Sequence, residues 1–479
     1  MAFHVSLVGR KDLSGEIYRQ IRRAVLDRRL RPGDPLPPGR ELARALAVSR
    51  ATVTVAYERL AAEGFVTSRQ GSGTFVSEVV AQAGRKSTSR RSSTGVVQPR
   101  PVWEGIPLLT AFERRARFDF RTGLPDASLF PHRHWRRSVT QALRSSEAAA
   151  GFYEHPAGHR DLRAAIARQV GMSRGVEASP DDIIITNGTQ QALDLLARVL
   201  LEPGDAIAVE DPCYGPPRHL FKSLGIRVVG VPVDREGLLV EALPRGVRAI
   251  YVTPSHQYPL SVTMTLPRRQ ALLAWAERNN AAIIEDDYDS EFRFADRPLE
   301  PLQTLDTKGR VIYVGSFSKT MLPTLRLGFL VTPPSLRLAL HKAKFVSDWH
   351  TSTLAQAALA RFIDEGAFAR HVRRVSAVYQ ERHQILADAI ARDFAEHLEL
   401  ISSTTGLHLT ALARRMSVDQ IAEIARRVAD HGVAVQVLSR FAVNAIPRAG
   451  VMLGYGAIPT ARIEEGMHLL RVCFDSEPQ

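Results

Sequence analysis

With 479 residues the chain is too long for one ordinary domain and long enough for two or three. Its apolar share of 45% suits a packed core, and only two cysteines, Cys213 and Cys473, exclude a disulfide framework. The net charge of +13 is uneven: residues 1–117 hold 21 basic against 10 acidic side chains, and the rest 42 against 40. A basic front end on a nearly neutral body points to a polyanion partner for the front end alone. No run of 18 apolar residues occurs, and no basic stretch leads into an apolar one at the start. No membrane span or secretory signal is therefore expected, and a cytoplasmic location is.

In chain order, residues 12–29 place Ile17, Ile21, Ala24 and Val25 at helical spacing. Gly33, Pro35, Pro37 and Pro38 then interrupt the chain. A second helix is predicted over 39–47, with Leu42 and Leu46 on one face. Ser49 is a good N-cap for a third helix through Glu63, on which Val53, Ala56, Tyr57 and Leu60 face inward. Arg50, Thr52 and Thr54 then lie near its N-terminus, mostly outward, where a recognition helix offers side chains to a major groove. Gly64 ends that helix. Residues 65–67 and 74–76 read as short strands around Gln70-Gly71-Ser72-Gly73, a hairpin wing.

The segment 36–53, LPPGRELARALAVSRATV, continued by YERLAAEGF over 57–65, resembles the GntR winged-helix family, and the match runs almost unbroken over 13–77. The resemblance implies double-stranded DNA as partner. It assigns DNA contacts to Arg40 at the start of the second helix, to Ser49, Arg50 and Thr52 at the start of the recognition helix, and to Gln70 and Gly71 at the wing tip. Arginine can grip guanine O6 and N7 together, and serine or threonine can hold phosphate.

Residues 78–117 are rich in Ser, Arg, Lys, Gly and Gln and read as a flexible basic linker. Beyond Phe118, short β-branched runs alternate with helix-length segments: Ile183–Thr186, then 206–209, 250–253, 282–285 and 311–314. That alternation argues for an α/β domain with a mainly parallel sheet.

Four motifs carry chemistry there. In SFSKTMLPTLRLG, 316–328, Lys319 follows a strand and a serine-rich turn, and Arg326 stands seven residues later. A Schiff-base lysine must be held still and partly desolvated, because an amine near pKa ~10.4 is a poor nucleophile at neutral pH. Ser316, Ser318 and Arg326 suit a cofactor phosphate. In AIIEDDY, 282–288, an aspartate at a strand's C-terminal end can keep a pyridine nitrogen protonated, and Tyr288 can bond the ring's phenolic oxygen. In TNGTQQAL, 186–193, a strand opens through Gly188 into a helix whose N-terminus, with Thr189 and Gln190, suits phosphate. In EDPCY, 210–214, Tyr214 suits stacking on a flat ring.

Together these motifs follow the order and spacing of fold-type I enzymes that use pyridoxal 5'-phosphate (PLP), the aspartate aminotransferase group, over roughly 118–475. The resemblance implies Lys319 as the catalytic amine in Schiff-base linkage to PLP and Asp286 on the pyridine nitrogen. It puts Tyr288 at the ring oxygen and Tyr214 on the ring face. It sets Thr189, Gln190, Ser316, Ser318 and Arg326 around the phosphate. Tyr153, in YEHPAG, resembles the tyrosine that reaches a partner subunit's phosphate, which implies a homodimer. No metal site is expected.

A GntR head on an aminotransferase-like body resembles the MocR subfamily of regulators. TPSHQYP, 253–259, resembles that subfamily's version of a loop that carries Asn before Pro in aminotransferases; Tyr258 stands there, and Ser261 replaces the usual glycine. Typical α-aminotransferases also have a C-terminal arginine for the substrate carboxylate. The corresponding block, VMLGYG at 451–456, has none, and Arg448 is the nearest candidate. The expected fold is therefore multidomain. A winged helix-turn-helix (α+β) over 11–77 and a linker over 78–117 precede an α/β fold-type I aminotransferase-like PLP-binding domain over 118–475. The expected function is a PLP-dependent transcription regulator of amino-acid, amine or vitamin B6 metabolism, sensing PLP or an amino compound as effector. The rival is an active aminotransferase with an accessory DNA-binding head; a third reading makes the large domain a cofactor-free dimer scaffold.

Overall fold

A computed structural model describes residues 5, 7, 12–69, 72–77, 97–108, 116–144, 152–294 and 300–475. The chain forms two compact units, Met1–Pro99 and Arg100–Gln479. No helix among the described residues is long and apolar enough to cross a membrane.

The first unit is three helices and a hairpin. Helix α1 (Leu13–Leu26) starts where the Asp12 carboxylate accepts from Gly15 N–H. It buries Ile17, Ile21, Ala24 and Val25, the four apolar residues at helical spacing. Each fully buried isoleucine or valine adds about 1.5–3 kcal/mol. Helix α2 (Gly39–Ala45) ends two residues before the expected point, and Ala47 adopts a left-handed φ of 51° beyond it. Helix α3 (Arg50–Ala62) buries Val53, Ala56 and Leu60 fully and Tyr57 partly, with Tyr57 Oη donating to Pro37 O at 2.8 Å. Strands β1 (Val66–Arg69) and β2 (Gly73–Val76) pair antiparallel to make the wing.

In the second unit an eight-stranded sheet has the order β4-β11-β10-β9-β8-β5-β6-β7. Its strands are β4 (Ile183–Thr186), β5 (Ala206–Asp211), β6 (Arg227–Asp234), β7 (Gly237–Leu238), β8 (Val247–Val252), β9 (Ala282–Asp287), β10 (Val311–Ser316) and β11 (Gly328–Val331). The central five, β10 to β6, run parallel, while β11 runs antiparallel to both neighbours. Almost every side chain in β4, β5, β8, β9, β10 and β11 is buried, as helices on both faces require. A second sheet is antiparallel in the order β12-β13-β16-β15: β12 (Leu398–Leu400), β13 (His408–Ala413), β15 (Gln436–Val437) and β16 (Gly450–Gly454), and the short strands β3 (Phe118–Asp119) and β14 (Val433–Ala434) form a separate parallel pair. It packs with the 27-residue helix Ala367–Asp393 around Phe118, Phe292, Phe394 and Tyr455.

Of the expected linker, 78–96 and 109–115 lie outside the described residues. Within the second unit, Arg100 donates to Ser223 O at 2.9 Å, and the turn Pro101–Trp103 packs on helix Gly215–Ser223.

Candidate nucleic-acid face and cofactor pocket

On the first unit, Arg40 and Arg50 are exposed at the N-termini of α2 and α3. Ser49 Oγ accepts from Thr52 N–H at 3.1 Å and lies 2.8 Å from Thr52 Oγ1, so both residues also serve the helix cap. Thr54 is exposed and donates to Arg50 O. Gln70 and Gly71 lie outside the described residues. Two exposed cations that motif reading passed over add to this basic surface. Arg44 lies on α2, and Arg69 lies at the end of β1 with its guanidinium 5.4 Å from the Phe75 ring.

In the second unit, sheet register gathers residues far apart in sequence. Ser316 pairs with Gly328, and Gly328 pairs with Thr186 across β10, β11 and β4. The lysine turn after β10, Arg326 just before β11 and Gly188 just after β4 therefore share one sheet edge. Asp286 and Asp287 end β9 at the same edge, beside β10. That edge is the C-terminal end of the parallel strands, where open α/β sheets bind ligands.

Lys319 is half-buried, and its Nζ donates to Gly123 O at 2.7 Å. Burial pulls its pKa down, and Asp289 and Asp286 oppose the pull. Ser316 Oγ accepts from Ser318 N–H at 3.1 Å, which fixes the turn carrying the lysine. Asp286 is only 4% exposed and its pKa is pushed up to about 7 by burial. Its Oδ2 accepts from Tyr251 Oη at 2.8 Å, whereas its Oδ1 is buried with no partner among the described residues. Burial also pushes Asp287 up, but Arg174 and Tyr313 hold it below its usual value, with bonds of 2.8 and 2.6 Å to its Oδ2. Each of these adjacent aspartates keeps one buried oxygen without a partner among the described residues, but Asp287 is locked in an ion pair with Arg174 whereas Asp286 is bonded only to a phenol.

At the other end of the edge, helix Gly188–Leu200 opens with Thr189 and Gln190 half-buried. Arg326 is exposed, donates to Asn187 O at 3.0 Å, and adopts a left-handed φ of 51°. A Cβ on Gly188 would meet its Nη2 at 2.8 Å, and a Cβ on Gly328 would meet the Gly188 backbone at 3.0 Å. The glycines hold open a cradle between a helix N-terminus and a guanidinium. A helix N-terminus beside a guanidinium is an arrangement that suits an anion.

The remaining residues line or flank this edge. Tyr214 is 39% exposed and edge-on to Tyr258 at 5.4 Å, while Cys213 is buried with its thiol pKa pushed up by desolvation. Tyr258 Oη lies 2.8 Å from Thr122 Oγ1, beside Gly123. Tyr288 Oη donates to His256 O at 3.0 Å and lies 3.0 Å from His256 Nδ1. Ser261 adopts φ 61°, the conformation for which a glycine is usual, and its Oγ is buried without a partner among the described residues. Tyr153 is 74% exposed and stacks on Trp349 at 4.4 Å. Arg448 is exposed in the loop before β16, and Met452 of β16 is buried with Tyr258 and Phe441. His256, Asp289 and His408 bring donor atoms within 4.8 Å of one another, but His256 Nδ1 is bonded to Asp289. Sequence reading missed Tyr251, Gly123, Thr122 and this histidine cluster. None stands in a spaced motif except His256.

Two family models match the chain: the gntR family of bacterial regulatory proteins over residues 13–76, and aminotransferase class I and II over 124–465. The chain is 38% identical over 470 residues, 96% of its length and 93% of the relative's, to the probable rhizopine catabolism regulatory protein MocR of Rhizobium meliloti. It is 32% identical to PdxR, the HTH-type pyridoxine biosynthesis transcriptional regulator of Corynebacterium glutamicum, covering 92% and 91% of the two chains. Among solved structures it resembles LysN, an alpha-aminoadipate aminotransferase of Thermus thermophilus complexed with N-(5'-phosphopyridoxyl)-L-leucine. The TM-score is 0.67 and identity 30%, over 74% of this chain and 91% of that one. A GntR-type head, an aminotransferase fold and near full-length likeness to HTH-type regulators together place the chain in the MocR subfamily of GntR-type transcription regulators.

Proposed function

We propose that the chain regulates transcription by holding PLP in its second unit and coupling what happens there to operator binding by its first. The observation that carries this reading is the set of groups at one sheet edge. Lys319 is an amine with a burial-lowered pKa, Asp286 has a buried oxygen without a donor, and the cradle of Gly188 and Arg326 suits an anion. These fit the aldehyde, the pyridinium N–H and the phosphate of PLP in turn.

In this reading Lys319 takes the aldehyde and Asp286 holds a proton on the ring nitrogen, with Tyr251 orienting the carboxylate. Arg326, Thr189, Gln190, Ser316 and Ser318 hold the phosphate. Tyr214 covers the ring and Tyr288 faces its phenolic oxygen. PLP supplies an electrophilic carbon able to exchange Lys319 for an effector amine. An exposed aromatic face, including Tyr153, Phe345 and Trp349, supports a homodimer in which Tyr153 serves the partner subunit. Arg40, Ser49, Arg50, Thr52, Gln70 and Gly71 contact DNA.

Regulation is favoured over turnover because β16 offers no arginine for a substrate carboxylate, and Met452 is buried in an apolar cluster there. Positioning, on which turnover depends, then suffers. The effector, PLP itself or an amino compound, must bind two states of the protein unequally. Operator binding titrated with PLP, and with PLP plus amines or amino acids, is expected to respond in the wild type and not in Lys319→Ala, which also stays colourless. Equal colour and response in the two proteins would overturn the proposal. Rapid conversion of PLP to its amine form would favour the aminotransferase reading.

A further inference from the structure

His256 belongs to the loop 253–259, which follows β8. His256 is 2% exposed, as is Asp289. Nδ1 lies 2.9 and 3.2 Å from the two Asp289 oxygens and 3.0 Å from Tyr288 Oη. A carboxylate only accepts, so Nδ1 carries the hydrogen, shared between Asp289 and the phenol oxygen. The phenol's own hydrogen goes to His256 O at 3.0 Å. Gly406 packs against the Cε1–Nδ1 edge of the ring, where a Cβ would come within 2.0 Å of Cε1. One residue thus grips the Tyr288 hydroxyl by ring and backbone, while a carboxylate and a glycine hold that residue.

We propose that His256, held by Asp289, is a positioning residue that fixes the Tyr288 hydroxyl and strengthens it as a donor to the phenolic oxygen of PLP. The inference rests on the proposal that PLP is carried by Lys319. Tyr258 does not take this duty, since its hydroxyl is bonded to Thr122. An N–H donated to the phenol oxygen polarises its O–H, and a phenolate is a stronger acceptor than the His256 carbonyl. The other titratable groups facing this trio are Asp286, Lys319, Tyr258, His408, His383, Glu210, Tyr455, Glu291 and Arg293.

The test uses the full chain loaded with PLP and reads the pH midpoint of its visible absorbance. A phenolic oxygen that loses part of its donor keeps more charge and holds the proton on the Lys319 nitrogen to higher pH. His256→Phe is therefore expected to raise the midpoint by about half to one pH unit, the worth of one ordinary hydrogen bond. His256→Gln, whose amide reaches the Nε2 position, does the same if the phenylalanine variant fails to fold. His256→Asn, which keeps an N–H near Nδ1, returns the midpoint towards wild type. In a Tyr288→Phe background the His256 change adds nothing. An unmoved midpoint in both disrupting variants overturns the inference, as does a shift that persists without the Tyr288 hydroxyl. A wild-type protein that develops no visible band with PLP overturns both this inference and the reading beneath it.

Discussion

The head and the lysine pocket solve opposite problems. In the head, 64 contiguous residues match one family, and the exposed arginines stand outside a core of Ile17, Ile21, Val53 and Leu60. In the pocket, the carbonyl that receives Lys319 comes from residue 123, the carboxylate with a partnerless oxygen from 286 and the guanidinium from 326, and the polar groups range from buried Asp286 and Ser316 through half-buried Lys319 to exposed Arg326. Surface function leaves folding untouched, because a solvated charge costs nothing to fold around. Pocket function works against folding, because a buried oxygen without a donor costs about 1–3 kcal/mol until a ligand supplies one.

That contrast can be broken by experiment. The largest effect is expected at the anion cradle: Arg326→Ala should weaken PLP binding by about 1.5–3 kcal/mol, read by titrating the visible absorbance. Arg50→Ala should weaken operator binding by about 1–3 kcal/mol while leaving the melting temperature unchanged, which DNA titration and thermal unfolding would show. A large stability loss there would erase the distinction between the two regions.

The pocket should behave conversely. Asp286 has its folded pKa raised from 3.8 to about 7 by burial, so the folded state holds its proton more tightly than the unfolded chain does. Its stabilising contribution is present below pH 3.8 and lost as pH rises through about 7. Glu210, also raised to about 7, adds to the same trend. Asp286→Asn should therefore make PLP-free protein more stable than wild type by about 1–3 kcal/mol above pH 7 and no different near pH 3, as denaturant titrations would report. The smallest effect is at Ser261: replacement by glycine should add up to about 1 kcal/mol, by relieving a left-handed φ and removing a buried hydroxyl without a partner.

Much of both regions was legible because local rules wrote them. Ser49 caps α3 and Asp12 caps α1 through side-chain bonds spanning three residues, which is why helix starts could be placed closely. Helix α2 stops two residues short of its predicted end, because Ala47 turns left-handed with no glycine to announce it. Four of the five predicted strand cores are present in full, while β8 starts three residues earlier than predicted and stops one short; β5, β9 and β10 run two residues further and carry Asp211, Asp287 and Ser316 to their ends. Nothing in the sequence marked β11 as antiparallel within an otherwise parallel neighbourhood, since direction depends on pairing partners and not on periodicity.

By itself the sequence determined the domain types, the caps, the buried helix faces and the motif residues, because each depends on chemistry within a few positions of itself. Only tertiary structure decided that Tyr251 orients Asp286, that Gly123 receives Lys319, and that His256 holds Tyr288. Those partners stand 32 to 196 positions apart along the chain. Sheet register and loop packing bring them together, and no local pattern encodes that.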